Sequence, residues 1–249
     1  MRILWNNLLD DYAPLASSER TGFPATNAQH VFLSRLWRTL ALDEYFTIDA
    51  GAGLTITADC ALIAAHNLTA GATIHIQAHP TNDWGAPDLD ETITWDAGNM
   101  VAYFASTTKR FWRFQLADAA NPDGYIEVGR LAVGTFLQMP PVEPGSALPS
   151  VTTTVVSTSI TGQTYGDRGQ MFLAPGFAFP IITQTERGYI EAMWREVEQV
   201  TPVFLDIWED SPTVQRPIYC RIDQDKLDWQ KAPEAGLLWS VQIAFMEAK

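Results

Sequence analysis

Thr73-Ile74-His75-Ile76-Gln77 alternates polar and apolar side chains without a break. Successive side chains of a strand point to opposite faces, so a period of two marks a strand with one buried face. Further short apolar or alternating runs lie on either side of it, at Tyr45–Asp49, Cys60–Ala65, Thr92–Trp95, Arg110–Leu116 and Tyr125–Phe136. In Arg110–Leu116 the indole of Trp112 interrupts the alternation, which predicts cover on both faces. Turn sequences such as Asp49-Ala50-Gly51 and Asn121-Pro122-Asp123-Gly124 separate the runs. Many short strands without a long helix predict an antiparallel β-sandwich over residues 1–137.

The sandwich pattern stops at residues 138–150, where Pro140, Pro141, Pro144 and Pro149 interrupt any ladder of backbone donors. This stretch is expected to be a linker or an extended wrapping segment. Beyond it, residues 151–249 are expected to form a second, β-rich domain. Val151–Ile160 is rich in Thr, Val and Ser and is a strand candidate. Gly162–Gly176 has the composition of turns. Thr183-Gln184-Thr185-Glu186 is a capping box, which starts a helix near 184–200. Tyr189, Ile190, Met193, Trp194, Val197 and Val200 form one apolar stripe along it, offered here as an assembly face, with a Glu191–Arg195 pair opposite. Strands are expected again at Val203–Trp208, Tyr219–Ile222 and Leu237–Phe245.

Of the 249 residues, 47% are hydrophobic and 18% charged, enough for packed cores and too few charges for long disorder. The net charge of −13 is shared, with −7 on residues 1–137 and −6 on 138–249. Neither part offers the positive surface that nucleic acid requires. No apolar run has the length of a membrane span, and the start, Met1-Arg2-Ile3-Leu4-Trp5, lacks the apolar core of a secretory signal. Cys60 and Cys220 both sit in strand-like sequence and are expected to be buried free thiols.

Several stretches in the first part resemble discoidin-like (galactose-binding-like) domains in their order. They are Ala16-Ser17-Ser18, Phe23-Pro24-Ala25-Thr26-Asn27-Ala28, Leu36-Trp37-Arg38-Thr39, Tyr45–Gly51, Arg110–Phe114 and Gly124–Leu131. His66–Ile74 and Asn121–Ile126 resemble the versions found in tailed-phage and prophage structural proteins. In layout, the second part resembles phage tail-tube and distal-tail domains, although in distal-tail proteins the two domains usually come in the reverse order. Where many discoidin-like domains continue with an Asp-Gly turn that helps to hold calcium, this chain has Gln29-His30 after Asn27-Ala28. A hard cation wants carboxylate oxygens, so no metal is expected there, and no other cofactor is expected.

Four histidines, at 30, 66, 75 and 79, all precede the seam. His75 lies in a strand and Pro80 follows His79, so the helical spacing of zinc proteases is unavailable, and His66 is expected to order a turn. Three acidic clusters, Asp88/Asp90/Glu91, Asp206/Glu209/Asp210 and Asp223/Asp225/Asp228, invite comparison with the facing carboxyls of a glycosidase. The alternative is solvated loop charge, which is the reading adopted, and the chain is expected not to be an enzyme.

Among the nine tryptophans, Trp37, Trp95 and Trp112 fall in strand-like runs and are expected in the core. Trp84 falls in the polar loop Thr81–Pro87. With Asn82 and Asp83 beside it, and His79, Tyr12 and Phe23 as weaker companions, it could stack a sugar ring. The competing reading folds Trp84 back over the sandwich edge or onto a neighbouring subunit.

The resemblance implies a structural subunit of a long-tailed phage, made in the host cytoplasm and carried in the virion tail. Its expected partners are further copies of itself, in a hexameric or trimeric ring, together with tube, hub and tape-measure proteins and a host surface glycan. A carbohydrate-binding module without an assembly role is the alternative reading, with a glycan-active enzyme third.

Overall fold

The computed structural model describes residues 1–144, 146–207, 216–231 and 238–248. Expectations that fell on Gly145, Trp208, Glu209, Asp210 and Leu237 lie outside the described residues. The chain is mostly β. In order it forms β1 (Arg2–Leu4), β2 (Pro14–Ala16), β3 (Trp37–Arg38), β4 (Asp43–Asp49), β5 (Ile56–His66), β6 (Thr73–His79), β7 (Leu89–Thr92), β8 (Met100–Lys109), β9 (Phe111–Ala117), β10 (Glu127–Gly134) and β11 (Leu137–Gln138). There follow β12 (Ser150–Thr152), β13 (Val155–Thr158), β14 (Thr164–Asp167), β15 (Met171–Leu173), β16 (Gly176–Ile182), the helix α1 (Gln184–Val197), β17 (Val203–Asp206), β18 (Ile218–Ile222), β19 (Gln230–Lys231) and β20 (Trp239–Glu247). No helix among the described residues is long and apolar enough to cross a membrane.

Two compact units result. One comprises Met1–Gln138 with Val203–Tyr219, the other Met139–Pro202 with Cys220–Ala248. Residues Val203–Tyr219 thus return to the first unit although they lie far beyond the Pro-rich seam. Backbone pairing explains the return, because β17 aligns antiparallel with β1, placing Ile3 opposite Leu205 and Arg2 opposite Asp206. On its other edge β1 pairs with β11.

The body of the first unit is a sandwich of two antiparallel sheets, β3-β10-β5-β8 and β2-β4-β9-β6-β7. Their facing side chains alternate along each strand as a period of two demands. Phe46 and Ile48 of β4, Ile74 and Ile76 of β6, Trp112, Phe114 and Leu116 of β9, Val128 of β10 and Trp37 of β3 are all closed to solvent in one core. Trp112 therefore keeps the alternation rather than interrupting it. The exception is Phe111, an outward residue that Arg110 covers at 4.6 Å from the ring centroid. Trp95 is only partly buried, and its indole N–H donates to the Leu68 carbonyl at 2.9 Å. The turns form as their chemistry requires. The Asp49 carboxylate accepts the Gly51 N–H at 2.8 Å, and Gly51 and Gly124 take the positive φ that β-carbon sterics disfavour in other residues.

In the second unit, β20 pairs with β16 and β19 and, through Cys220–Ile222, with β18. The capping box forms as read: Thr183 Oγ1 accepts the Glu186 N–H, and the Glu186 carboxylate accepts the Thr183 N–H at 2.7 Å. The helix stops at Val197, short of 200, because Glu198 adopts a φ of 45°. Its apolar stripe is narrower than expected. Ile190, Met193 and Val197 are buried inside the unit, so they cannot serve as an assembly face; Trp194 is half-buried, and Tyr189 and Val200 are exposed. Glu191 forms the expected pair with Arg195, at 4.0 Å, and a closer one with Arg187 at 2.7 Å. Val151–Ile160 breaks into β12 and β13, and the Gly-rich stretch after it supplies their partners β15 and β14.

Candidate functional site

The outer face of the five-stranded sheet carries the side chains that the core does not claim. Register sets them in rows: Thr47 of β4, Arg113 of β9, Gln77 of β6 and Asp90 of β7 in one, and Tyr45, Gln115, His75 and Thr92 in the next. Arg113 is the centre of this face. Its Nε and Nη2 donate to Gln77 Oε1 at 3.0 and 2.6 Å. Its guanidinium lies 4.3 Å from the ring centroid of Trp84 and 5.5 Å from that of Tyr45. Desolvation lowers its affinity for its proton, only partly countered by Tyr45, Asp90 and Asp43. Among the described residues no carboxylate hydrogen-bonds to Arg113. Three of its five N–H donors are therefore left over. Beside it, His75 Nδ1 and Asp90 Oδ1 are 2.7 Å apart.

Trp84 reaches this face from the β6–β7 loop. Its indole N–H donates to Asn82 Oδ1 at 2.7 Å, and Asp83 Oδ1 accepts the Gly85 N–H at 3.1 Å. Asn82 and Asp83 therefore shape the loop, and the loop folds Trp84 back over the sheet. His79 closes the base of the loop, with Nδ1 against the Thr81 carbonyl at 2.8 Å and Nε2 at 3.8 Å from Asp88. Asp88 also pairs with Lys109, which holds its carboxyl below the usual range.

The other two nominated residues do not join this group. Tyr12 packs against the core next to β2, at the opposite edge of the sheet from the β6–β7 loop. Phe23 lies 4.0 Å beneath Arg38, whose strand β3 belongs to the other sheet. The face itself, Tyr45, His75, Gln77, Asp90 and Arg113, was not nominated from sequence. Its signal was present in the outward positions of alternating strands, but only the cross-strand register brings them together.

The segment that departs from the calcium pattern is tied down by Gln29. Its Nε2 donates to the carbonyls of Leu9 and of Tyr12, the latter at 2.8 Å. Two of the acidic residues singled out in the sequence have partners of their own. Asp206 is buried and accepts the Tyr103 hydroxyl at 2.8 Å, and Asp228 pairs with Lys226 at 2.9 Å. In the second unit a groove of about 530 Å³ is lined by Glu143, Pro180, Gln224, Lys226, Asp228 and Gln242. Gln224 there spends its amide on the Lys226 and Gln242 carbonyls and the Ala244 N–H.

No family model matches the chain, and no curated protein matches it. Solved carbohydrate-binding modules of the discoidin-like type resemble about half of it. Chitosan-binding module 1 of a chitosanase/glucanase from Paenibacillus sp. IK-5 is 20% identical, with a TM-score of 0.41 over 51% of this chain and 96% of that one. CpGH89CBM32-5 from Clostridium perfringens, in complex with GalNAc-β-1,3-galactose, is 14% identical, with a TM-score of 0.41 over 52% of this chain and 99% of that one. The family 32 module of NanJ from C. perfringens, in complex with galactose, is 14% identical, with a TM-score of 0.42 over 55% of this chain and 100% of that one. The likeness is one of fold.

Proposed function

We propose that this chain is a non-catalytic recognition protein that holds a saccharide on the outer face of its five-stranded sheet. One observation carries the reading: Arg113 stands between two aromatic rings with N–H donors unspent and no carboxylate partner among the described residues, in a chain of net charge −13. An aromatic ring offers stacking to the apolar face of a sugar, and a guanidinium offers a fork of donors to hydroxyls or, best, to a sugar carboxylate. A saccharide bearing a carboxylate is the favoured class. A broad glycan array probed with the full chain tests this. Binding to acidic glycans is expected, with at least a tenfold loss in Arg113→Ala and a smaller loss in Trp84→Ala. Absence of binding across the array overturns the reading, as does binding that Arg113→Ala leaves unchanged.

A second reading is structural: the chain is a subunit of a phage tail, carried in the virion after synthesis in the host cytoplasm. It forms a hexameric or trimeric ring that contacts tube, hub and tape-measure proteins. The architecture of the second unit, strands with a capped helix among its described residues, favours it. Mass spectrometry of purified particles from the phage that encodes the chain checks this reading. Absence of the chain from those particles overturns it.

A further inference from the structure

The strands β13 and β14 form a two-stranded ribbon in which every residue is exposed. The ribbon grows from a base of β12 and β15. Gly169 crosses Thr153 there so closely that a β-carbon would lie 2.3 Å from Thr153 Oγ1. The base is tied to the unit, with the Leu173 N–H donating to Glu247 at 2.9 Å. The tip is not tied: among the described residues no third strand pairs with β13 or β14.

Cross-strand register puts Val155 and Tyr165 on one face of the ribbon and Val156 on the other. Val155 and Val156 are each 64% exposed, Tyr165 58%, and Ile160 at the turn is fully open. A hairpin laid on its own domain would bury one of these faces. An isolated two-stranded hairpin is marginal in water, and three or more strands are the usual minimum.

The edges of the ribbon are also unguarded. Natural sheet edges are blunted with Lys, Pro or bulges. Here the ribbon's one charge, Asp167, stands at the base end of β14 opposite Val155; no other charged residue occurs from Pro144 onward to that point, and no proline from Ser150. A chain of net charge −13 repels its own copies at most points of contact. A long uncharged segment is where two such copies can meet without that repulsion.

We propose that the β13–β14 ribbon is a self-association arm, pairing edge to edge with the same ribbon of a second copy of this chain. Two ribbons joined in this way make a four-stranded sheet in which one open edge of each ribbon is paired across a two-fold axis, using backbone groups that now face water. The inference stands on the ribbon's geometry and composition and needs neither functional reading above.

The test is sedimentation velocity of the full chain across a wide concentration range, at low and high salt. A concentration-dependent oligomer is expected, and salt should strengthen it by screening the repulsion between acidic copies. Val156→Lys, and separately replacement of residues 155–167 by a short Gly-Ser turn, should leave only monomer with an unchanged thermal melt. Single cysteines at 155, 156 and 157 add a direct readout. Cys60 and Cys220 are buried, so mild oxidation should link two chains through at least one of the new thiols. A chain that stays monomeric throughout, an oligomer that survives loss of the arm, association that weakens steeply with salt, or three cysteine variants that all fail to crosslink would each overturn the proposal.

Discussion

Arg130 grips the carboxylate of Asp10 with both of its terminal nitrogens, Nη1 lying 2.9 Å from Oδ1, although the two residues are 120 positions apart. The guanidinium side chain is only 4% exposed, and it also donates to the Gln29 carbonyl. Burial pushes the Asp10 carboxyl above its usual range, outweighing the pull of Arg130 in the other direction. The pair therefore contributes less than its geometry suggests, but breaking it strands a buried cation. Asp10→Ala should cost about 2 to 3 kcal/mol in urea unfolding, below the 3–5 of fully buried pairs because Asp10 is a third open to solvent. Adding Arg130→Met should recover part of that loss. Additive losses in the double variant would show that the ion pair is not the source of the effect.

His66 is held in one tautomer. Its Nδ1 accepts the Leu68 N–H at 3.1 Å, so Nε2 carries the proton toward the Gly98 carbonyl at 2.9 Å. Burial lowers its proton affinity below the ordinary histidine value of 6.5, against weaker opposing effects from Gly98 and Asp96. The unfolded chain therefore binds this proton more readily than the folded one. The stabilisation is complete above pH 6.5 and is lost as pH falls below it toward the folded value. Denaturant midpoints at pH 7.5 and 5 should differ more for the parent chain than for His66→Gln, and equal slopes would refute this.

Gly134 ends β10 under the amino-terminal segment. A β-carbon there would lie 2.6 Å from the Asn6 carbonyl oxygen and 2.7 Å from Leu4 Cδ1. A backbone oxygen cannot step aside cheaply, so Gly134→Ala should destabilise by on the order of 2 kcal/mol. Gly166→Ala is the control, because nothing lies within 4 Å of a β-carbon at that position. Thermal melts should separate the two variants clearly.

Both cysteines are buried free thiols, and burial pushes each thiol far above its ordinary range. Cys60 donates to the Gly134 carbonyl at 3.3 Å. A thiolate reagent at pH 8 should find no reactive thiol in the folded chain and both of them after denaturation. Rapid labelling of the native protein would contradict this packing.

The sandwich was legible because its strands are half-buried: β6 and β9 alternate side chains, and the turns between strands announce themselves through Asp49–Gly51 and Asn121–Gly124. β8 escaped because Met100 and Val101 are both buried, which erases the alternation. Of the ribbon, β13 falls within the Thr-, Val- and Ser-rich Val151–Ile160, whereas β14 escaped for the opposite reason, since a strand with no buried face has no pattern to show. The return of β17 was invisible to any local window, because its only cue is a partner two hundred residues earlier. The candidate face was divided in the same way. Trp84 could be nominated from its loop, but Arg113 gains meaning only when register sets it beside Gln77.

The pairing of Ile3 with Leu205 also bears on how the protein is made. As the chain leaves the ribosome, β1 must wait for β17, about two hundred residues further along. Until then one of its edges stays open while the whole of residues 139–202 is extruded. Closure of the first unit is therefore a late event in synthesis. An expression fragment cut at the proline-rich seam would leave that edge permanently bare and prone to pairing with its neighbours.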